Sequence, residues 1–138
     1  MDNRAHDLLK MRPTLRNAVV TDNMSSDERF QNTTLRPVIK LQNHLLIAAF
    51  RNYVNKHKGV FYELALEKKL KYIENAIQKD IKFRNSLKGM VIGMFTVEEY
   101  ETYILNSSAL NKRMMSIVIE RLKDQVQVLD AKLLAEVS

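Results

Sequence analysis

The stretch LEKKLKYIENAIQKDIK, Leu66 to Lys82, places Leu66, Leu70, Ile73, Ile77 and Ile81 at spacings of four, three, four and four. At 3.6 residues per turn, these spacings set the five aliphatic side chains along one line of a helix. Tyr72, Ala76 and Phe83 extend that line around one flank, while Lys68, Lys71, Lys79 and Lys82 share the opposite face with Asn75. A helix patterned this way buries its aliphatic edge and leaves its lysines in water. The spacing predicts one continuous helix over about Val60 to Lys88, and predicts that this helix organises the fold.

Reading toward the N-terminus, Gly59 supplies a helix stop. Before it, a long helix is expected from about Thr34 to His57, with Pro37 tolerated only in its first turn. Its apolar arc, Leu41, Leu45, Leu46, Ala48, Ala49, Phe50 and Tyr53 with Ile39, covers about half the circumference. Ser25 or Ser26 precedes Asp27 and Glu28, so a short capped helix anchored by Phe30 is predicted there. Residues 1–24 show no sustained period. They read as an N-terminal arm, with room for a short helix, that docks on the body or on a partner.

Toward the C-terminus, Gly89 and Gly93 bracket Met90, Val91 and Ile92, after which Phe95 is expected to insert into the core. Thr96-Val97-Glu98-Glu99 is a capping box, in which the threonine hydroxyl and the Glu99 carboxylate each satisfy a free backbone N–H. A short helix follows to about Asn106. Ser107 or Ser108 then caps a last helix through about Leu129, with Leu110, Met114, Met115, Ile117, Val118, Ile119, Leu122 and Val126 on its apolar side. Apolar arcs this wide need more than one neighbour.

With 138 residues, no cysteine, no tryptophan, three glycines and two prolines, the chain is rich in helix formers and poor in turn formers. The expected fold is all-α: a compact bundle of four to five helices over residues 25–138, with the arm outside it. The longest apolar runs, Leu45 to Phe50 and Met90 to Phe95, are too short for a secretory core or a membrane span, so a cytoplasmic protein with no membrane partner is expected. The net charge of +6 divides as +1 over residues 1–24, +4 over 25–59, +3 over 60–93 and −2 over 94–138. The middle of the chain is therefore basic, a polarity that steers anionic partners to one side.

The candidate binding surface is the row Lys68, Lys71, Lys79 and Lys82, bordered by Tyr72 and Phe83. Lysines track phosphates and aromatic rings meet bases or an aromatic partner; the competing reading is a wet face beside a core flank. Asp80, Arg84 and Arg121 project at or inside the apolar arcs of their helices. They predict either a structural polar cluster, with Asp80 and Arg84 paired and Arg121 joining across the bundle, or an anion site for a carboxylate or phosphate. The histidines His6, His44 and His57 have no Glu three residues before them and no His four residues away, so no metal is expected. No glycine-rich phosphate loop or cysteine nucleophile is present, and no catalytic residue or cofactor is assigned. The helices joined at Asn106 to Ser108 have about the length of a helix-turn-helix, but without a turn glycine and with an acidic first helix.

From about Leu35 onward, LRPVIKLQN, LEKKLKYIENAIQKDIKFRNSLKGMVIG, FTVEEYETYI and SSALNKRMMSIVIERLKDQ resemble a family of short all-helical bacterial proteins of unassigned role, some labelled glyoxalase. That label implies a lyase. Glyoxalases place His and Glu ligands on β-α-β-β-β modules or carry a His-rich metal motif; this chain has neither, so no residue is carried over. The function expected is a non-enzymatic helical interaction module that docks on a larger assembly, which includes nucleic acid among its candidate hosts. Direct nucleic-acid binding through the lysine row is second and the lyase third; a homodimer is a further candidate partnership.

Overall fold

The computed structural model describes residues 3–15 and 19–130. The fold is all-α, with no strand among these residues. Helix α1 covers Arg4–Met11 and α2 covers Ser26–Phe30, the latter capped by the Ser25 hydroxyl, which accepts the Glu28 N–H at 3.1 Å. A π-helical turn, Gln31–Leu35, runs from α2 directly into α3, Arg36–Leu41. Pro37 lies at the start of α3, directly after the π turn.

The remaining helices are α4 (Asn43–Lys56), α5 (Leu66–Lys79), α6 (Ile81–Ile92), α7 (Val97–Tyr103) and α8 (Ser107–Asp124). Short 3-10 turns at Val60–Glu63 and Ile104–Asn106 precede α5 and α8. Beyond a turn at Gln125, residues 126–130 are again helical. No helix of the described residues is long and apolar enough to cross a membrane.

The segments outnumber the expected four to five because two long helices are broken. The helix read over Thr34 to His57 bends at Gln42, whose side-chain amide donates to the Met90 carbonyl at 2.8 Å. The buried residues of α4 are Leu46, Ile47, Phe50 and Val54, in step with Leu35 and Ile39 before the bend, while Leu45 and Ala48 face water. The helix read over Val60 to Lys88 is interrupted at Asp80, whose backbone is extended. Ile73 and Ile77 are fully buried, but Leu66 and Ile81, the ends of the predicted line, are 59% and 62% exposed.

The organising element is α8 instead of α5: it packs against α3, α4, α5, α6 and the π turn. Leu110, Met114, Met115, Val118, Ile119 and Leu122 on α8 are buried, in line with its wide apolar arc. Each such aliphatic side chain contributes about 1.5–3 kcal/mol on burial. Aromatic rings close both ends of the core. Phe50 meets Phe61 edge-on at 5.2 Å, and Phe95 meets Phe30 at 5.6 Å.

Local signals at three helix ends give different outcomes. The left-handed turn that ends α4 begins one residue before the expected Gly59, at Lys58 with φ 67°, whose N–H reaches the Asn55 carbonyl at 3.2 Å; Gly59 continues it with φ 68°, and its N–H reaches the Val54 carbonyl at 3.0 Å. The Thr96 box forms with both of its bonds. The expected serine cap of α8 does not form. Asn106 is the residue before the helix, and its amide donates to the Asp27 carboxylate at 2.9 Å instead of capping, because the 3-10 turn leads straight into α8.

The arm packs onto the loop between α6 and α7. Leu8 is buried, and the Arg4 guanidinium donates to the carbonyls of Phe95 and Gly93 at 2.9 Å each. Arg12 reaches the Met94 carbonyl at 3.1 Å and both oxygens of Glu99 at 2.6 and 2.5 Å.

Candidate functional site

Asp80 begins the site because it ends one helix and starts the next. Its Oδ1 accepts the Phe83 N–H at 3.1 Å, the N-cap bond of α6. Its Oδ2 accepts the Tyr53 hydroxyl from α4 at 3.2 Å. Stacked rings fix that phenol: Tyr53 lies between His57, at 4.1 Å, and Phe83, at 4.2 Å. The column His57–Tyr53–Phe83 thus pins the turn after α4 to the first turn of α6.

These contacts set the protonation states. The Phe83 N–H bond first, then the Tyr53 hydroxyl and the charge of His57, hold the Asp80 carboxyl below its ordinary value despite partial desolvation. Tyr53 moves the other way, pushed up to about 12 by burial first and then by the hydrogen bond to Asp80. The pair therefore rests as a carboxylate accepting from a phenol that stays protonated at neutral pH. The His57 Nδ1 lies 2.8 Å from the Tyr53 carbonyl. A carbonyl only accepts, so Nδ1 carries the proton.

Two clefts open on either side of this column, and Tyr53, His57 and Asp80 line both. The larger, about 770 Å³, lies between α4 and α5; Tyr72, Ala76 and Lys79 form its α5 wall, and the exposed Val60 and Ile81 stand at its rim. The smaller, about 390 Å³, lies between α4 and α6 and includes Lys82, Phe83 and Met90.

The predicted lysine row is divided by the helix break. Lys79, Lys82, Tyr72 and Phe83 gather around Asp80, Lys79 and Tyr72 on one cleft and Lys82 and Phe83 on the other. Lys68 and Lys71 are exposed on the outer face of α5, apart from these clefts. Lys68, Lys71 and Lys79 stay on the unbroken α5, and the break sets only Lys82, on α6, apart from them. Tyr72 and Phe83 are half-buried and packed against the core, so each shows only part of its ring.

Asp80, Arg84 and Arg121 do not form the cluster expected of them. Asp80 is engaged by Phe83 and Tyr53, Arg84 donates to the Gln78 carbonyl at 3.0 Å, and Arg121 donates through Nε to the Asn43 side chain at 2.9 Å. The cap geometry turns the Asp80 carboxylate toward α4, away from Arg84. The ion pairs among the described residues are Arg12–Glu99, Lys69–Asp130 and Lys123–Glu74, with none of the three residues in them.

Sequence reading missed Tyr53 and His57 as site residues: Tyr53 was one member of an apolar arc and His57 the end of a helix. The available signal was Asp80 itself, a strong N-cap residue inside an otherwise helical pattern. Among the described residues, no three His, Asp or Glu come together in a group that could hold a metal ion. No family model, curated protein or solved structure matches this chain.

Proposed function

We propose that this chain is a non-enzymatic helical interaction module that docks on a protein partner through the clefts flanking Asp80. The observation that carries this reading is the rim of the larger cleft. Val60 and Ile81, 50% and 62% exposed, stand beside the ring walls of Tyr53 and Tyr72, with Lys79 at the edge. Exposed aliphatics flanking a ring-lined cleft suit an apolar anchor from a partner, and the lysines suit acidic residues beside that anchor. A cytoplasmic assembly is the setting proposed for the module.

The test is a pull-down of tagged chain from its source cells, treated with nuclease, beside Ile81→Asp and Lys79→Glu/Lys82→Glu. Both changes fall on exposed positions, so melting should stay close to that of the wild type. A protein captured by the wild type and lost from both variants supports docking at the clefts. Equal capture by all three chains removes the clefts from the function.

Nucleic-acid binding is the second reading, supported by the exposure of Lys68, Lys71, Lys79 and Lys82, none of them in an ion pair among the described residues. It predicts affinity that falls steeply with salt. A homodimer would use the same apolar rim, and light scattering of Ile81→Asp separates it from docking on a different protein. The lyase reading rests on the glyoxalase resemblance alone and predicts turnover of a glutathione hemithioacetal.

A further inference from the structure

On the far side of α5 and α6, a third cleft of about 430 Å³ opens against α8. Its floor is apolar, made by Ile77, Met115 and Ile119, and its rim carries Arg84, Lys88 and Lys112. No carboxylate lines it. Ser108, Asn111 and Ser116 add hydroxyl and amide donors from α8. The volume falls in the range of small-molecule sites, and an apolar floor with a few convergent polar groups is their usual composition.

A neighbouring cleft of about 450 Å³, on the other flank of α8, shows what a compensated basic cleft looks like in this molecule. It shares Lys112 and Ser116 with the first and contains Arg36, Arg113 and Arg121, but also Glu120 and Asp124. Its arginines are already engaged on amide oxygens: Arg113 on Gln31, Arg121 on Asn43 and Arg36 on Asn32.

In the first cleft the charges are uncompensated. None of the ion pairs among the described residues includes Arg84, Lys88 or Lys112. Arg84 is nevertheless held in place, because one Nη donates to the Gln78 carbonyl across the break between α5 and α6. That bond fixes the guanidinium at the rim with further N–H groups free to bind. Three cations gathered without a counter-charge repel one another, and an anion that bridges them removes the repulsion.

We propose that this cleft binds a phosphate ester, the phosphate on Arg84, Lys88 and Lys112 and the ester's carbon body on the Ile77–Met115–Ile119 floor. A phosphate group offers several strong acceptor oxygens, enough to take hydrogen bonds from a planar guanidinium and two ammonium groups together. The ester comes either as a free nucleotide-sized molecule or as part of a nucleic-acid strand. The site is separate from the clefts around Asp80 and does not depend on what those bind.

Titration calorimetry of the full chain with pyrophosphate, adenosine monophosphate and a single-stranded oligonucleotide tests the proposal. The variants are Lys112→Glu and Arg84→Gln, and Lys40→Glu on α3, exposed and outside every cleft described, serves as the control. Lys112 is exposed, so its substitution should leave the fold intact, and circular dichroism verifies each chain. The site predicts binding at least about tenfold weaker in both variants and unchanged in Lys40→Glu. Binding of the monophosphate with that pattern identifies a free ester; binding of the oligonucleotide alone with that pattern identifies a strand. Binding of none of the three at millimolar concentration, or binding equal in wild type and Lys112→Glu, overturns the proposal.

Discussion

Among the described residues, two carboxylates begin helices: Asp80 caps α6 directly, whereas Glu99 closes the box behind the Thr96 cap of α7. Their surroundings differ. Glu99 accepts from the Thr96 N–H at 2.9 Å, from the Thr34 hydroxyl at 2.8 Å and from both Nη atoms of Arg12. Burial raises its pKa, but the bonds from Arg12, Thr96 and Thr34 outweigh that and hold it below the ordinary value. Every partner is internal, drawn from the arm, the π turn and α7. Asp80 has a backbone N–H and one phenol, and it faces two open clefts. A carboxylate at a helix start thus closes the structure in one place and leaves an accessible surface in the other.

The largest effect should come from opening the closed end. Arg12→Ala or Glu99→Ala leaves a partly buried charge without its partner. The expected cost is about 2–3 kcal/mol, below that of a fully buried pair because Glu99 keeps some contact with water. Chemical denaturation measures it, and limited proteolysis should show cleavage near Arg12 at a rate well above wild type. A loss under about 0.5 kcal/mol would mean that the contact of Arg12 with Glu99 is superficial.

Acid tests the closed end by titration. The folded pKa of Glu99 is depressed, so its contribution is complete above the ordinary value of 4.5 and is lost as pH falls through the lowered folded value. Glu99→Gln should therefore have a flatter stability curve than wild type in that acid range. If the two curves run parallel, the carboxylate's charge is not what holds the arm.

The smallest change in stability, but a specific spectroscopic one, is expected at Asp80. Asp80→Asn keeps a capping oxygen while removing the charge. Burial of Tyr53 remains, so its pKa should fall from about 12 toward the ordinary 10.0 without reaching it. Alkaline absorbance titration, with Tyr53→Phe to assign the transition, reads this shift. An unmoved tyrosine would place its perturbation in burial alone.

What the sequence disclosed follows from the range of each interaction. The Thr96 box spans four residues, and both of its bonds are present. The arc of α8 was legible because that helix is long and unbroken, with Met114 and Val118 fully buried as the period requires. Arg12 was not legible as the partner of Glu99, since 87 positions separate them. Asp80 was hidden by its neighbours: Ile77 and Ile81 continue the aliphatic spacing across it, and periodicity alone reads through a break that costs only one residue. Of the cations in the clefts of α8, Arg84 and Arg121 stood out in the sequence because they project at or inside apolar arcs, whereas Lys112 and Arg113 read alone as part of an ordinary wet face, and their meeting across helices was not legible.

The π turn at Gln31–Leu35 sets a phase relation between two parts of the chain. Hydrogen bonding from i to i+5 accommodates one residue more than an α-helical turn would. That surplus residue lets Phe30 sit against Phe95 while Leu35, Val38 and Ile39 also enter the core and Thr34 meets Glu99. Removing one residue here would turn everything before it by about 100° relative to everything after. The surplus residue acts as a spacer tooth, and a chain one residue shorter could mesh with only one of its two neighbours at a time.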